Sequence, residues 1–194
     1  METFIQKQLI EKCKKGDTRS QFQLYRKYSK AMFNICMRMV NSRQDAEDIL
    51  QEAFSDAFLH LDSFRYESTF GAWLKRIVIN KSINMLKKKN PCLSLNDELI
   101  TYENATTENN YENEYPALDI EMIQKALKKL PDGYRVVFSL YLLEGYNHEE
   151  ISRILNIKKS TSRSQYLRAK QKIKWILTQQ YMAESKCRQM EMTN

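Results

Sequence analysis

The sharpest alternation of apolar and polar positions lies between residues 42 and 89. Ala46, Ile49, Leu50, Ala53, Phe54, Ala57, Phe58 and Leu61 recur at steps of three and four, which predicts one face of an α-helix over about 44–60. The opposite face carries Asp45, Glu47, Asp48, Gln51, Glu52 and Asp56. Ser42 is placed to cap this helix, and acidic side chains in the first turns complement the helix dipole. That local effect accounts for Asp45 and Glu47, but not for the stripe continuing through Asp48, Gln51, Glu52 and Asp56. No Lys or Arg falls between Arg43 and Arg65, so the stripe reads as a docking face for a basic partner at least as readily as a solvated one.

After the polar loop LDSFRYESTF, with Ser68 or Thr69 as cap, the pattern predicts a second helix from about Thr69 to Lys89. Phe70, Trp73, Leu74, Ile77 and Val78 supply its buried side. Arg76, Asn80, Asn84 and Lys87 or Lys88 form one polar stripe on the outside. Arg and Asn are suited to bidentate contacts with base edges, and clustered Lys to phosphates. Phe64, Tyr66 and Trp73 are placed to stack on an unpaired base. A Lys-rich helix end also complements the helix dipole with no ligand at all.

Upstream, the spacing predicts a helix over 4–15, with Phe4 or Ile5, Leu9, Ile10 and Cys13 on one face and Gly16 as its stop. Asp17 caps the next, over about 18–40, with Phe22, Tyr25, Tyr28, Met32, Ile35, Cys36 and Met39 inward. Residues 90–117 have no regular period and many Asn and Glu, the signature of a flexible linker. Helical spacing resumes with Ile120, Ile123, Leu127 and Leu130. It restarts at Pro131 with Tyr134, Val137, Phe138, Tyr141 and Leu142, and Gly145 closes that segment. Asn147 and Glu150 then have the spacing of a capping box, Tyr146 and Ile151 that of a staple, and Asn156 suits a left-handed turn after Leu155. A long basic helix follows, with Tyr166, Ala169, Ile173 and Ile176 inward. Short helix, turn and long basic helix make a helix-turn-helix pattern. Thr161, Arg163, Ser164, Gln165, Leu167, Arg168 and Lys170 lie where such helices meet base edges in the major groove. An ordinary helical hairpin with a basic face gives the same pattern.

Composition supports an all-α fold, since 194 residues contain only four Gly and three Pro. The four Cys are scattered without a C-x-x-C pair, which favours reduced cytosolic thiols over disulfides or zinc. No apolar run is long enough for a membrane span, and the N-terminus is too polar for a secretory signal. The net charge is +7, but its distribution says more. Residues 91–121 hold eight acidic residues and no Lys or Arg, leaving 31 basic against 16 acidic side chains elsewhere. Such a balance suggests a polyanion as partner. Two His without a matched nucleophile or metal cluster give no catalytic site, so neither an enzyme nor a cofactor is expected.

Taken together, these stretches resemble the bacterial sigma-70 family of RNA polymerase sigma factors, in its short extracytoplasmic function (ECF) group. FQLYRKYSKAMFNICMRMV resembles the start of sigma region 2, and DAEDILQEAF the segment that grips the β′ coiled coil of core polymerase. FRYESTF with AWLKRIVINKSINMLKK resembles the part that captures a flipped base of the −10 element. LPDGYRVVFSLYLLEGYNHEEISRILNI with STSRSQYLRAK resembles region 4, which reads the −35 element. Ser162 stands where the family often has Val, Lys158 where many relatives have a small cap, and Asn84 at a commonly acidic position.

The resemblance implies two small helical domains, 1–90 and 118–180, joined by an acidic linker at 91–117 and followed by a tail at 181–194. It implies core binding by Asp48, Gln51 and Glu52. It implies −10 contacts by Arg76 and Asn80, and −35 contacts by Arg163, Ser164, Leu167 and Arg168 with Thr161 on a phosphate. The polar stripe and the helix-turn-helix pattern add Phe64, Asn84, Lys87 and Lys88 to the first set and Gln165 and Lys170 to the second. The expected partners are core RNA polymerase (β′ coiled coil and β flap), promoter DNA and an anti-sigma factor. The expected form is a cytoplasmic monomer, at the nucleoid when bound to polymerase. Two other classes fit parts of the pattern. A free-standing helix-turn-helix repressor leaves the Asp48/Gln51/Glu52 stripe without a use, and a pure interaction protein leaves the basic faces without DNA.

Overall fold

The computed structural model describes residues 2–89 and 120–191, all of whose regular structure is helical. The chain divides into two compact units, Met1–Cys92 and Leu93–Asn194. The linker expected at 91–117 lies outside the described residues.

The first unit holds four helices: α1 (Glu2–Lys14), α2 (Thr18–Val40), α3 (Arg43–Leu59) and α4 (Phe70–Lys89). A single 3₁₀ turn, Leu61–Ser63, follows α3. Helices α2, α3 and α4 pack pairwise on one another, and α1 lies against α2. The boundaries follow local chemistry. Gly16 takes φ +83 after α1, a left-handed conformation that costs glycine little. The Asp17 carboxylate accepts from the Ser20 N–H at 3.1 Å, Ser42 Oγ accepts from the Asp45 N–H at 3.4 Å, and Thr69 Oγ1 accepts from the Ala72 N–H at 3.2 Å. Between α2 and α3, Asn41 turns the chain at φ 54.

Every apolar position predicted for α3 is buried except Phe58, which is half-buried. The inward face of α2 differs from the expectation at its start. Phe22 is 60% exposed, while Leu24 is fully buried. Phe22 instead lies beside Arg26, whose guanidinium is 5.9 Å from the ring centroid. In α4, the buried side runs through Phe70, Leu74, Val78, Ile79, Ser82, Ile83 and Leu86, with Trp73 and Ile77 half-buried.

The second unit holds α5 (Ile120–Lys128), α6 (Asp132–Phe138), α7 (His148–Leu155) and α8 (Lys159–Glu191). Helices α5, α6 and α7 all pack on α8, which is the spine of the unit. Its core joins Ala126, Leu127, Leu130 and Phe138 to Ala169, Ile173 and Ile176 of α8. The tail expected from 181 continues α8 to Glu191.

Two features of this unit were not legible in the sequence. Ser139–Leu143 forms a π-helical turn directly after α6. Tyr141 and Leu142, expected inward, are exposed there, as is Leu143. Arg135 is 3% exposed, pairs with Asp132, and donates from Nη1 to the Leu130 carbonyl at 3.0 Å. Its charge is therefore buried with partners, the condition under which a buried guanidinium is tolerated.

Candidate nucleic-acid interface

Three exposed faces carry the candidate residues. On α3, Asp48, Gln51 and Glu52 all point to solvent, as the stripe requires. The acidic cluster is partly matched within the unit, however. Lys81 of α4 lies 2.7 Å from Asp56 and 3.2 Å from Glu52, and those two carboxylates hold its ammonium above its usual pKa, Asp56 first. Arg43 pairs with Glu47 at 2.8 Å. Asp45 is buried at the start of α3 and held by Lys89. Asp48 and Gln51 are thus the part of the stripe outside these pairs, and Glu52 stays exposed beside Lys81.

On α4, Arg76, Asn80, Asn84, Lys87 and Lys88 are all exposed, at successive turns. At the N-terminal end of this stripe a hollow of about 520 Å³ opens, within the usual range for a ligand cleft. Ser63, Phe64, Arg65, Glu67, Ser68, Trp73 and Arg76 line it. A planar ring entering it would meet the half-buried Trp73 indole and two guanidinium groups.

Phe64 corrects an expectation. It is 4% exposed, and its ring packs 4.8 Å from Tyr66, 5.4 Å from Trp73 and 5.8 Å from Phe70, centroid to centroid. It borders the hollow, but its ring is buried among these aromatics and leaves little area open for stacking. Arg65, passed over in the sequence, does line the hollow; its place between two loop aromatics was the available signal.

On α8, Arg163, Leu167 and Lys170 are exposed, while Ser164 and Arg168 are half-buried. Thr161 and Gln165, expected among the outward residues, are each 7% exposed and lie on the packed side of the helix. The helix turns 100° per residue, so the two fall on the face that carries Ala169 four residues further on. Lys159, not among the candidates, is exposed at the helix start and reaches Glu149 of α7 at 3.5 Å.

The turn before α8 forms as its residues dictate. Asn147 accepts from the Glu149 and Glu150 N–H groups, and the Glu150 side chain accepts from the Asn147 N–H at 2.8 Å. Asn156 ends α7 at φ 58. Ser162, where an apolar anchor was missing, is fully buried, and its Oγ shares a hydrogen bond of 2.9 Å with His148 Nδ1. The imidazole stacks on Tyr141 at 4.4 Å and lies edge-on to Tyr166. Burial first, then Arg163 and Lys159, push the His148 pKa below its ordinary value. A polar contact therefore joins α7 to α8 at the position where the resembling family often has Val.

Among the described residues, no group of three His, Cys, Asp or Glu side chains could hold a metal ion, and no helix is long and apolar enough to cross a membrane.

The family comparisons divide along the same boundary as the fold. Sigma-70 region 2 matches residues 24–91, and Sigma-70, region 4 matches residues 120–173. The chain is 32% identical over 182 residues to the ECF RNA polymerase sigma factor SigW of Bacillus subtilis (strain 168), covering 90% of this chain and 97% of that one. It is 32% identical over 173 residues to the ECF RNA polymerase sigma-E factor of Escherichia coli (strain K12), covering 85% and 90%. Among solved structures, the sigma factor RpoE in complex with the anti-sigma factor NepR from Bartonella quintana has the same fold. Its TM-score is 0.54 at 22% identity, covering 80% of this chain and 95% of that one. With an acidic face on α3, a polar stripe and hollow on α4 and a helix-turn-helix in the second unit, the chain belongs to the ECF group of sigma-70 family transcription initiation factors.

Proposed function

We propose that this protein is an initiation subunit that docks on core RNA polymerase through α3 and reads a promoter with two separate faces. The observation that carries this reading is the coexistence of opposite faces in one small unit. Asp48, Gln51 and Glu52 are exposed on α3, and Arg76, Asn80, Asn84, Lys87 and Lys88 on α4. A repressor acting alone has no use for the first face, and a purely protein-binding module has none for the second.

The acidic face would meet a basic helical surface of core polymerase, the β′ coiled coil. Arg76 and the hollow beside it would take an unstacked base of the −10 element. Its capture offsets part of the few kcal/mol lost when a duplex step opens. Asn80, Asn84, Lys87 and Lys88 would follow the same strand along α4. Arg163, Ser164, Leu167, Arg168 and Lys170 would face the −35 element in the major groove. Thr161 and Gln165 would act there through packing, given their burial. Two tethered readers raise each other's effective concentration, so neither face alone need bind tightly. The protein performs no bond chemistry in this scheme, works in the cytoplasm and engages the nucleoid only with polymerase. An anti-sigma partner, as RpoE has in NepR, is part of the same reading.

In vitro transcription with core enzyme tests it. The chain is expected to direct initiation from a defined set of genomic fragments, with mapped start sites sharing −10 and −35 sequences. Core enzyme giving the same transcripts with and without the chain overturns the reading.

A further inference from the structure

Tyr66 faces away from the hollow its loop encloses. Phe64, Arg65, Glu67 and Ser68 line that hollow with Trp73 and Arg76, whereas Tyr66 donates its hydroxyl to Glu11 Oε1 of α1 at 2.6 Å, across 55 positions of sequence. Its backbone sits at φ 61, in the left-handed region that a bulky side chain enters only at a cost. Such a conformation persists where the surroundings over-determine it, and here they do. Lys14 and Lys7 lie 5.0 and 5.3 Å from the Tyr66 ring centroid, and Lys14 also pairs with Glu11 at 3.3 Å. The ring also packs 4.8 Å from Phe64, a side chain that lines the hollow. Glu11 is held below the usual carboxylate range by the Tyr66 hydroxyl first and by Lys14 next, so the acceptor is an ionised carboxylate. Helix α1 lies wholly before residue 24, where the region 2 match begins.

We infer that Tyr66 is a positioning residue. Latched to Glu11, it sets the path of residues 64–68 and thereby the shape of the hollow that receives the −10 base. The inference rests on reading the hollow as a base site. It gives α1 a role in promoter selectivity without any contact to DNA, and it replaces the stacking role the sequence suggested for Tyr66.

The test uses the full chain reconstituted with core polymerase and offered duplex promoter DNA randomised in both the −10 and −35 elements. The variants are Tyr66→Phe, which keeps the ring and removes only the hydroxyl, Glu11→Ala, and the two combined. Each single variant is expected to lose about three- to tenfold of its preference at one −10 position, the range of a single hydrogen bond. The −35 preference should stay as in the wild type, and the double variant should lose no more than Tyr66→Phe alone. An unchanged −10 preference in both single variants overturns the latch. A loss spread equally over −10 and −35, the mark of general loosening, overturns it too. A wild-type chain that selects no −10 base overturns the base-site reading itself, and the latch with it.

Discussion

Lys89 holds its Nζ 2.6 Å from each carboxylate oxygen of Asp45, joining the last turn of α4 to the first turn of α3. The pairing, more than the Ser42 hydroxyl, keeps the Asp45 carboxyl below the usual carboxylate range. It also sets Lys89 apart from Lys87 and Lys88, which are exposed like it but lie outside this pair. Lys88→Ala is expected to reduce the slope of log K against log salt for −10 strand binding by about 0.7, the share of one single-strand phosphate contact. Lys89→Ala should change that slope far less. Titrating holoenzyme against a −10 oligonucleotide at several salt concentrations measures both.

Gln51→Ala with Glu52→Lys should abolish co-purification with core polymerase. The fold should survive, because Asp56 keeps Lys81 at 2.7 Å after Glu52 is lost and both substituted side chains are exposed. Circular dichroism checks the fold, and pull-down with tagged core enzyme checks the binding. Retained binding in a folded variant removes α3 as the docking face.

Arg163→Ala is expected to weaken or relax −35 recognition by about 1–3 kcal/mol, the range of one good bidentate base contact. Selection from a −35 library by wild-type and variant holoenzyme measures it. An unaltered −35 preference takes Arg163 out of the reading set.

The second unit should lose stability in mild acid through His148. Its folded pKa is lowered by burial and by Arg163 and Lys159, so the folded state disfavours the proton that the unfolded state accepts. The contribution is complete above the unfolded value of about 6.5, and it is lost as pH falls through that value toward the lowered one. The chain has two tryptophans, one in each unit, so Trp175 fluorescence in a Trp73→Phe background follows the second unit's unfolding. His148→Gln should flatten the acid limb of that profile. An unchanged limb means that His148 does not carry it.

The parts of the fold that could be read in advance are those specified within a few residues. Asp17, Ser42, Thr69 and Asn147 each cap the helix they precede, and Asn156 turns where a left-handed residue was expected. The misses have long-range causes. Lys81 reaches α3 from α4, Lys89 reaches Asp45, and Glu11 reaches Tyr66; no local spacing announces any of these pairs. Phe64 is buried where exposure was expected, because an aromatic in a polar loop looks available until Phe70 and Trp73 close on it. Phe22 and Leu24 differ by only two positions on a helix with apolar residues on several sides, and periodicity alone cannot choose between them. The π turn shifts Tyr141 and Leu142 outward by changing the period itself, which a fixed 3.6-residue repeat does not anticipate.

The start of α8 carries Thr161, Ser162, Gln165 and Ala169 on one side and Arg163, Leu167 and Lys170 on the other. Substitutions at the exposed set leave the packed set and the His148 contact in place. On the proposed reading, promoter preference would drift on the exposed side chains and packing on the others, with Arg163 touching both through its charge beside His148. On that reading, a lineage that copies this gene would retarget the copy, substitution by substitution, without first having to rescue its fold.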